Sequence, residues 1–228
     1  MGPARGFRSR LKDDAATGLS VIAEIKRRSP SKGDLAVDLD PASLAEQYRD
    51  GGASCLSVLT DEEFFAGSIR DLQIASAASG LPVLRKDFTV DVLDVLDARL
   101  MGADCVLLIA AALSPSELVE LHGVARSVGL DVLVEIHDER ELARAIEAGA
   151  DLVGVNQRDL VTFRVDHERA LRMGSAMPAS VVRVAESGVR GPGDARDLHA
   201  AGYHAVLVGE SLVTSADPRA GVSSLRQA

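Results

Sequence analysis

Eight short apolar runs, each led in by glycine or a small turn-prone residue, recur along the chain at about 25-residue intervals. No other feature constrains the fold as much. The runs occupy residues 19–25, 54–59, 82–84, 104–110, 131–136, 152–155, 181–185 and 205–208. They are rich in Val, Ile and Leu and nearly continuous in apolarity, as parallel strands covered on both faces are. Between them lie helical stripes, such as Leu118, Leu121, Ala125 and Val128, or Leu142, Ala145, Ile146 and Gly149. Ser114-Pro115-Ser116-Glu117 sets a cap, a first-turn proline and a capping-box glutamate in order. Asp40-Pro41 and Asp138 with Glu141 read the same way. Gly18, Gly52, Gly80, Gly102, Gly129, Gly149 and Gly202 precede seven of the runs, where a helix-ending left-handed conformation is wanted. Eight strand–helix units without a linker predict an α/β protein, a single-domain (β/α)8 TIM barrel over residues 1–228. A doubly wound open sheet is the alternative, although it usually has fewer strands at this length.

Charge and composition narrow the function. Asp and Glu number 34 against 25 Lys and Arg, a net charge of −9, and aromatic residues make up only 3%. Such a chain is a poor nucleic-acid binder. Its longest apolar runs are too short to span a bilayer, and its first residues carry no apolar leader. A cytoplasmic protein without membrane partners is expected, acting on a small molecule as a monomer or weak homo-oligomer. Cys55 and Cys105 sit near the starts of apolar runs and read as buried small hydrophobes. The five histidines form no pair at ligand spacing, so no metal and no cofactor is expected.

In a barrel, function belongs at the C-terminal ends of the strands. Those ends hold the residues that do not fit a core: Glu24 and Lys26, Lys86, Glu135, Asn156 with Arg158, and Glu186. A charge flanked by Val and Ile is costly to bury unless paired, so the set reads either as a structural ion-pair ring or as an acid/base kit. Glu186-Ser187-Gly188 and Gly209-Glu210-Ser211 follow the seventh and eighth runs, where barrels commonly cradle phosphate with backbone N–H groups. The Glu210 carboxylate is expected to point away from such an anion. Ser29-Pro30-Ser31-Lys32-Gly33 adds hydroxyls and a cation after the first run.

These segments, in this order, resemble the indole-3-glycerol-phosphate synthase family. The resemblance is carried by Ile22–Gly33, Ser57–Asp61 with Phe65–Ser68, Pro82–Phe88, Leu133–Asp138, Gly154–Leu160, Val184–Gly188 and Val208–Leu212. It implies a cofactor-free (β/α)8 lyase of tryptophan biosynthesis. Such an enzyme converts 1-(2-carboxyphenylamino)-1-deoxyribulose 5-phosphate to indole-3-glycerol phosphate with loss of CO₂ and water. On that reading Lys86 protonates the ribulose C2 oxygen during ring closure and Lys26 orients the anthranilate carboxylate. Glu135 and Glu24 are the candidates for dehydration, with Lys26 a possible sharer of the acid role. Asn156 and Glu186 hold substrate hydroxyls, supported by Arg158 and Ser187. Phosphate falls to Ser29, Gly188, Gly209 and Glu210, and the anthranilate pocket to Phe88, Leu108 and Phe65. The family also carries a longer segment before its first strand. Residues 1–18 are read as the remnant of that extension, of which Gly6 to Leu11 resembles the end.

Two rivals stay open on the residues alone. One is another phosphosugar barrel enzyme, either an Amadori-type isomerase or a Schiff-base aldolase using Lys86. The other is a non-catalytic barrel that only binds phosphosugars.

Overall fold

The computed structural model describes residues 2–159 and 162–228. Leu160, which ends one of the family-like segments, lies outside them. Eight strands close into a parallel barrel: β1 (Ser20–Ile25), β2 (Cys55–Leu59), β3 (Val83–Lys86), β4 (Cys105–Ile109), β5 (Asp131–Ile136), β6 (Leu152–Asn156), β7 (Val182–Glu186) and β8 (Ala205–Val208). Each pairs with its sequence neighbours, and β8 closes on β1 through Ser20↔Ala205 to Ala23↔Val208. The open-sheet alternative is thereby excluded. No helix among the described residues is long and apolar enough to cross a membrane.

The helices begin and end where the sequence says. Ser114 and Glu117 form a full capping box, and the Asp40 side chain caps Pro41–Asp50. Asp138 caps Glu139–Glu147, but Glu141 does not complete a box; its carboxylate accepts from His137 instead. Leu118, Leu121, Ala125, Leu142 and Ala145 are buried as predicted, whereas Ile146 is partly exposed on the flank of its helix. The glycines that precede the strands have positive φ, for example 94° at Gly102, a region that L side chains rarely adopt.

Alternation along the strands sorts side chains into two apolar layers. Outward positions such as Val21, Val58, Val106, Leu108 and Val134 pack against the helices. Inward positions, Ile22, Cys55, Leu84, Cys105, Leu133 and Val184 among them, fill the barrel. The free cysteines are buried there, where burial pushes both thiols up.

The helix Phe7–Asp14 plugs the N-terminal end of the barrel. Phe7 and Leu11 are fully buried in the inward cluster, and Ser20 Oγ donates to the Leu11 carbonyl at 2.8 Å. Arg5 and Arg8 tie the segment to Asp104 and Asp131 through backbone N–H bonds of 2.7 and 2.9 Å, all at strand N-termini. Because this plug fills a closed interior, Phe7→Ala should lower the unfolding free energy by about 3–5 kcal/mol. Urea unfolding would show it as a lower midpoint at unchanged slope.

Candidate active site

The inward register that is apolar low in the barrel turns polar two residues higher. Ile22 is followed by Glu24, Cys55 by Ser57, Leu84 by Lys86, Leu133 by Glu135 and Val184 by Glu186, each on the same face of its strand. Ladder pairs bring them together: Glu24 faces Ser57, Asn156 faces Glu186 and Glu135 faces Gly154. Lys86 lies within β3, paired with Leu59, whereas the apolar run had suggested a strand ending at residue 84. Asn156 and Glu186 likewise close their strands from inside the ladder. Together these groups form the floor of a cavity of about 1120 Å³ at the C-terminal mouth.

The floor holds two charge clusters. Lys26 Nζ lies 2.6 Å from Glu24 Oε1, and Ser57 Oγ donates to Glu24 Oε2 at 3.2 Å. Burial alone would raise the Glu24 pKa, but Lys26, Lys86 and these hydrogen bonds outweigh it and hold the carboxyl below its ordinary range. In the second cluster Lys86 Nζ stands 3.7 Å from Glu135 Oε2 and 3.8 Å from Glu186 Oε2. Burial works against the ammonium, yet Glu135, Glu186 and Glu24 raise its pKa, so Lys86 is charged at neutral pH. Asn156 Nδ2 donates to Glu135 Oε1 at 3.1 Å.

Glu186 differs from both. It is 1% exposed, and neither carboxyl oxygen has a hydrogen-bond partner among the described residues. Burial first, and then the charges of Glu135 and Glu24, push its pKa well up against the pull of Lys86. One carboxyl pKa is thus held below its ordinary range and another pushed well above it at a single site, the separation that acid/base chemistry uses.

Two glycines make room for these groups. A Cβ on Gly154 would fall 1.9 Å from Glu186 Oε1, and one on Gly209 would fall 2.5 Å from Glu24 Oε1. On the opposite rim Ser29, Ser187, Gly188 and Glu210 border the cavity, as does Arg158. Arg158 N donates to Asn156 Oδ1 at 3.0 Å. The Glu210 carboxylate does not point clear of the cations: it sits 3.5 Å from Lys32 Nζ and 3.9 Å from Arg158. Phe65 and Phe88 border the cavity as expected.

Leu108 does not. It is paired with Val134 on the outward face and is buried against the helices. Its neighbours Leu107 and Ile109 face the cavity instead, Ile109 in register with Glu135. The strand alternation contained that information, because two in-register neighbours share a face. Phe64 and Phe163 also border the cavity, so four of the chain's five phenylalanines gather at this mouth. Both stand on connecting segments, where no periodicity marks them. Ser57 was legible only as part of a family-like segment and not as the partner of Glu24.

A closed parallel barrel with this acid/base set buried at its C-terminal mouth, beside glycine-led loops, defines an enzyme of the (β/α)8 class. The profile of the family described as indole-3-glycerol phosphate synthase matches residues 1–225, and the chain belongs to that family. The indole-3-glycerol phosphate synthase 2 of Streptomyces coelicolor is 52% identical over 223 residues, covering 98% of this chain and 85% of that protein. The indole-3-glycerol phosphate synthase of Mycobacterium avium is 52% identical over 208 residues, covering 91% of this chain and 76% of that protein. Among solved structures, 3-hexulose-6-phosphate synthase from Salmonella typhimurium superposes with a TM-score of 0.73 at 14% identity, covering 91% of this chain and 96% of that one. That likeness concerns the fold alone.

A raised Glu186 pKa has a consequence for stability. The folded chain keeps this proton while the unfolded chain releases it at the ordinary carboxylate pKa, so the contribution is full below that value and is lost as pH rises toward the folded one. Glu186→Gln keeps the shape of the neutral acid and cannot titrate. It should melt level with wild type near pH ~4 and above it near pH ~7. A melting difference that stays constant across that range would contradict a buried neutral acid.

Proposed function

We propose that this chain closes the indole ring of 1-(2-carboxyphenylamino)-1-deoxyribulose 5-phosphate, releasing CO₂ and water to give indole-3-glycerol phosphate. The observation that carries the reading is a protonated Lys86 held between Glu135 and Glu186, on the floor of a cavity whose far rim is built of glycine-led loops.

Each chemical demand has a candidate group on the cavity floor. When the aryl carbon attacks the ribulose C2 carbonyl, the oxygen gathers negative charge and takes a proton from Lys86, whose charge Glu135 foremost and Glu24 help to maintain. Lys26 binds the anthranilate carboxylate until it leaves as CO₂, while Glu24 anchors the ammonium from below at 2.6 Å. Loss of water from the closed ring needs an acid at the departing hydroxyl and a base at the ring proton, roles for which Glu135 and Glu24 are the candidate pair, with Lys26 able to share the acid role. Glu186, as a neutral acid, donates to a substrate hydroxyl, and Asn156 bonds a second one. Arg158 and Ser187 support these contacts from the rim.

The phosphate lies against Ser29 and the backbone of Gly188, Gly209 and Glu210, opposite the aromatic pocket of Phe65, Phe88, Leu107 and Ile109. The two ends of the substrate differ in charge and shape, so this division fixes its direction in the cavity.

Two variants separate chemistry from binding. Lys86→Ala should lower kcat for indole-3-glycerol phosphate formation by about a hundredfold or more, with the fold intact by circular dichroism. Near-normal turnover would refute the role given to Lys86. Ser29→Ala removes one of several phosphate contacts and should raise KM about three- to tenfold at nearly constant kcat. An effect on kcat alone would count against the phosphate position.

A further inference from the structure

Beyond Glu186, the next two residues both take positive φ, 64° at Ser187 and 72° at Gly188. Glycine enters this region freely, but a serine there has to be held by its surroundings. Gln157 holds it. This residue follows Asn156 at the end of β6 and is 0% exposed. Its backbone N–H donates to the Glu186 carbonyl at 3.0 Å, and its own carbonyl accepts from Asp166 N at 2.8 Å. Its side-chain Nε2 donates to the Ser187 carbonyl at 2.7 Å, while Oε1 lies 2.8 Å from His167 Nδ1. A carbonyl oxygen only accepts, so the amide can face Ser187 in one orientation alone, and His167 must then carry its proton on Nδ1.

The geometry of the peptide bond turns this contact into a directional one. No peptide among the described residues is cis, and in a planar trans peptide the C=O and the following N–H point in opposite directions. Fixing the Ser187 carbonyl on Gln157 therefore points the Gly188 N–H away from Gln157. Gln157 is buried behind the wall that Ser187 and Gly188 present to the cavity. Val165, from the same β6 loop, presses on the other side: a Cβ on Gly188 would lie 2.4 Å from Val165 Cγ1.

We infer that Gln157, itself fixed by His167, is a positioning residue that aims the Gly188 N–H at the substrate phosphate. This rests on the phosphate location proposed above. The loop after β6 thus sets the anion affinity of the loop after β7 without touching the ligand through Gln157.

Gln157→Leu and Gln157→Glu both remove the donor to Ser187, although the glutamate still accepts from His167. Each should weaken inorganic phosphate binding, measured by titration calorimetry, and raise substrate KM about tenfold, with kcat changed less than about threefold. His167→Phe should show a smaller loss of the same kind, and His167→Asn, which keeps a donor, should recover most of it. That recovery is a readout that loss of packing alone would not give, and the histidine pair decides the matter if the Gln157 variants do not fold. Phosphate affinity and KM unchanged in both Gln157 variants, or a fall in kcat at constant KM, would overturn the inference. Equal impairment in the two His167 variants would overturn it as well. A wild type that binds phosphate in a Gln157-dependent way yet forms no indole product would sustain the clamp and defeat the synthase reading. A wild type that forms product yet binds no phosphate removes the premise, and the clamp falls with it.

Discussion

Three carboxyl groups lie buried on the floor of this barrel's mouth beside the ammonium groups of Lys26 and Lys86, and the way they share those cations governs the site. Glu24, Glu135 and Glu186 are at most 3% exposed, so none can discharge its electrostatic cost into solvent. An unpaired buried ion costs several kcal/mol even after relaxation. Lys26 is committed to Glu24 at 2.6 Å, and Lys86 is shared between Glu135 and Glu186 at 3.7 and 3.8 Å. Glu135 also has His137 Nε2 3.7 Å from its Oε1 and accepts from Asn156, which leaves Glu186 the least supported of the three. Glu186, whose two oxygens lack hydrogen-bond partners among the described residues, is the one that burial and its neighbours drive upward.

The same crowding explains glycines that no turn requires. Gly154 lies within β6 and Gly209 has φ −118°, so neither is needed for a left-handed backbone. Both are needed for volume, because a methyl group at either place would enter the space of a buried carboxyl. Gly209 was legible in the sequence as part of an anion cradle. Its second role, leaving room for the Glu24–Lys26 pair, depends on a strand whose neighbour is remote in sequence and becomes visible only when β8 closes on β1.

What the sequence made legible follows from how local each signal is. The strand period, the caps at Asp40 and Ser114 and the helix-ending glycines are written within a few residues, and all appear in the structure. The charged floor was also legible, since Glu24 and Glu135 interrupt apolar runs and Lys86 and Glu186 stand just beyond the ends of theirs. Parity was harder. Leu107, Leu108 and Ile109 are alike in kind, and only the pairing of Ile109 with Glu135 decides which of them face the cavity. Gln157 was legible only as part of a family-like segment: a neutral polar residue after a strand is ordinary, and its partner Ser187 lies 30 positions away.

Stability and chemistry are separated along the barrel axis. The plug of Phe7 and Leu11 closes one end, and above it the inward layer of Ile22, Leu84, Leu133 and Val184 keeps water from the underside of the charged floor. Electrostatic interactions strengthen in such a dry, weakly polarisable setting, so each fixed charge acts more strongly on a bound molecule than it would at a surface. The proposed substrate brings a carboxylate at one end and a phosphate at the other. A fully ionised floor would add a third negative carboxyl against them. The raised pKa of Glu186 lessens that repulsion, and in the proposed reaction it suits a group that donates to a substrate hydroxyl.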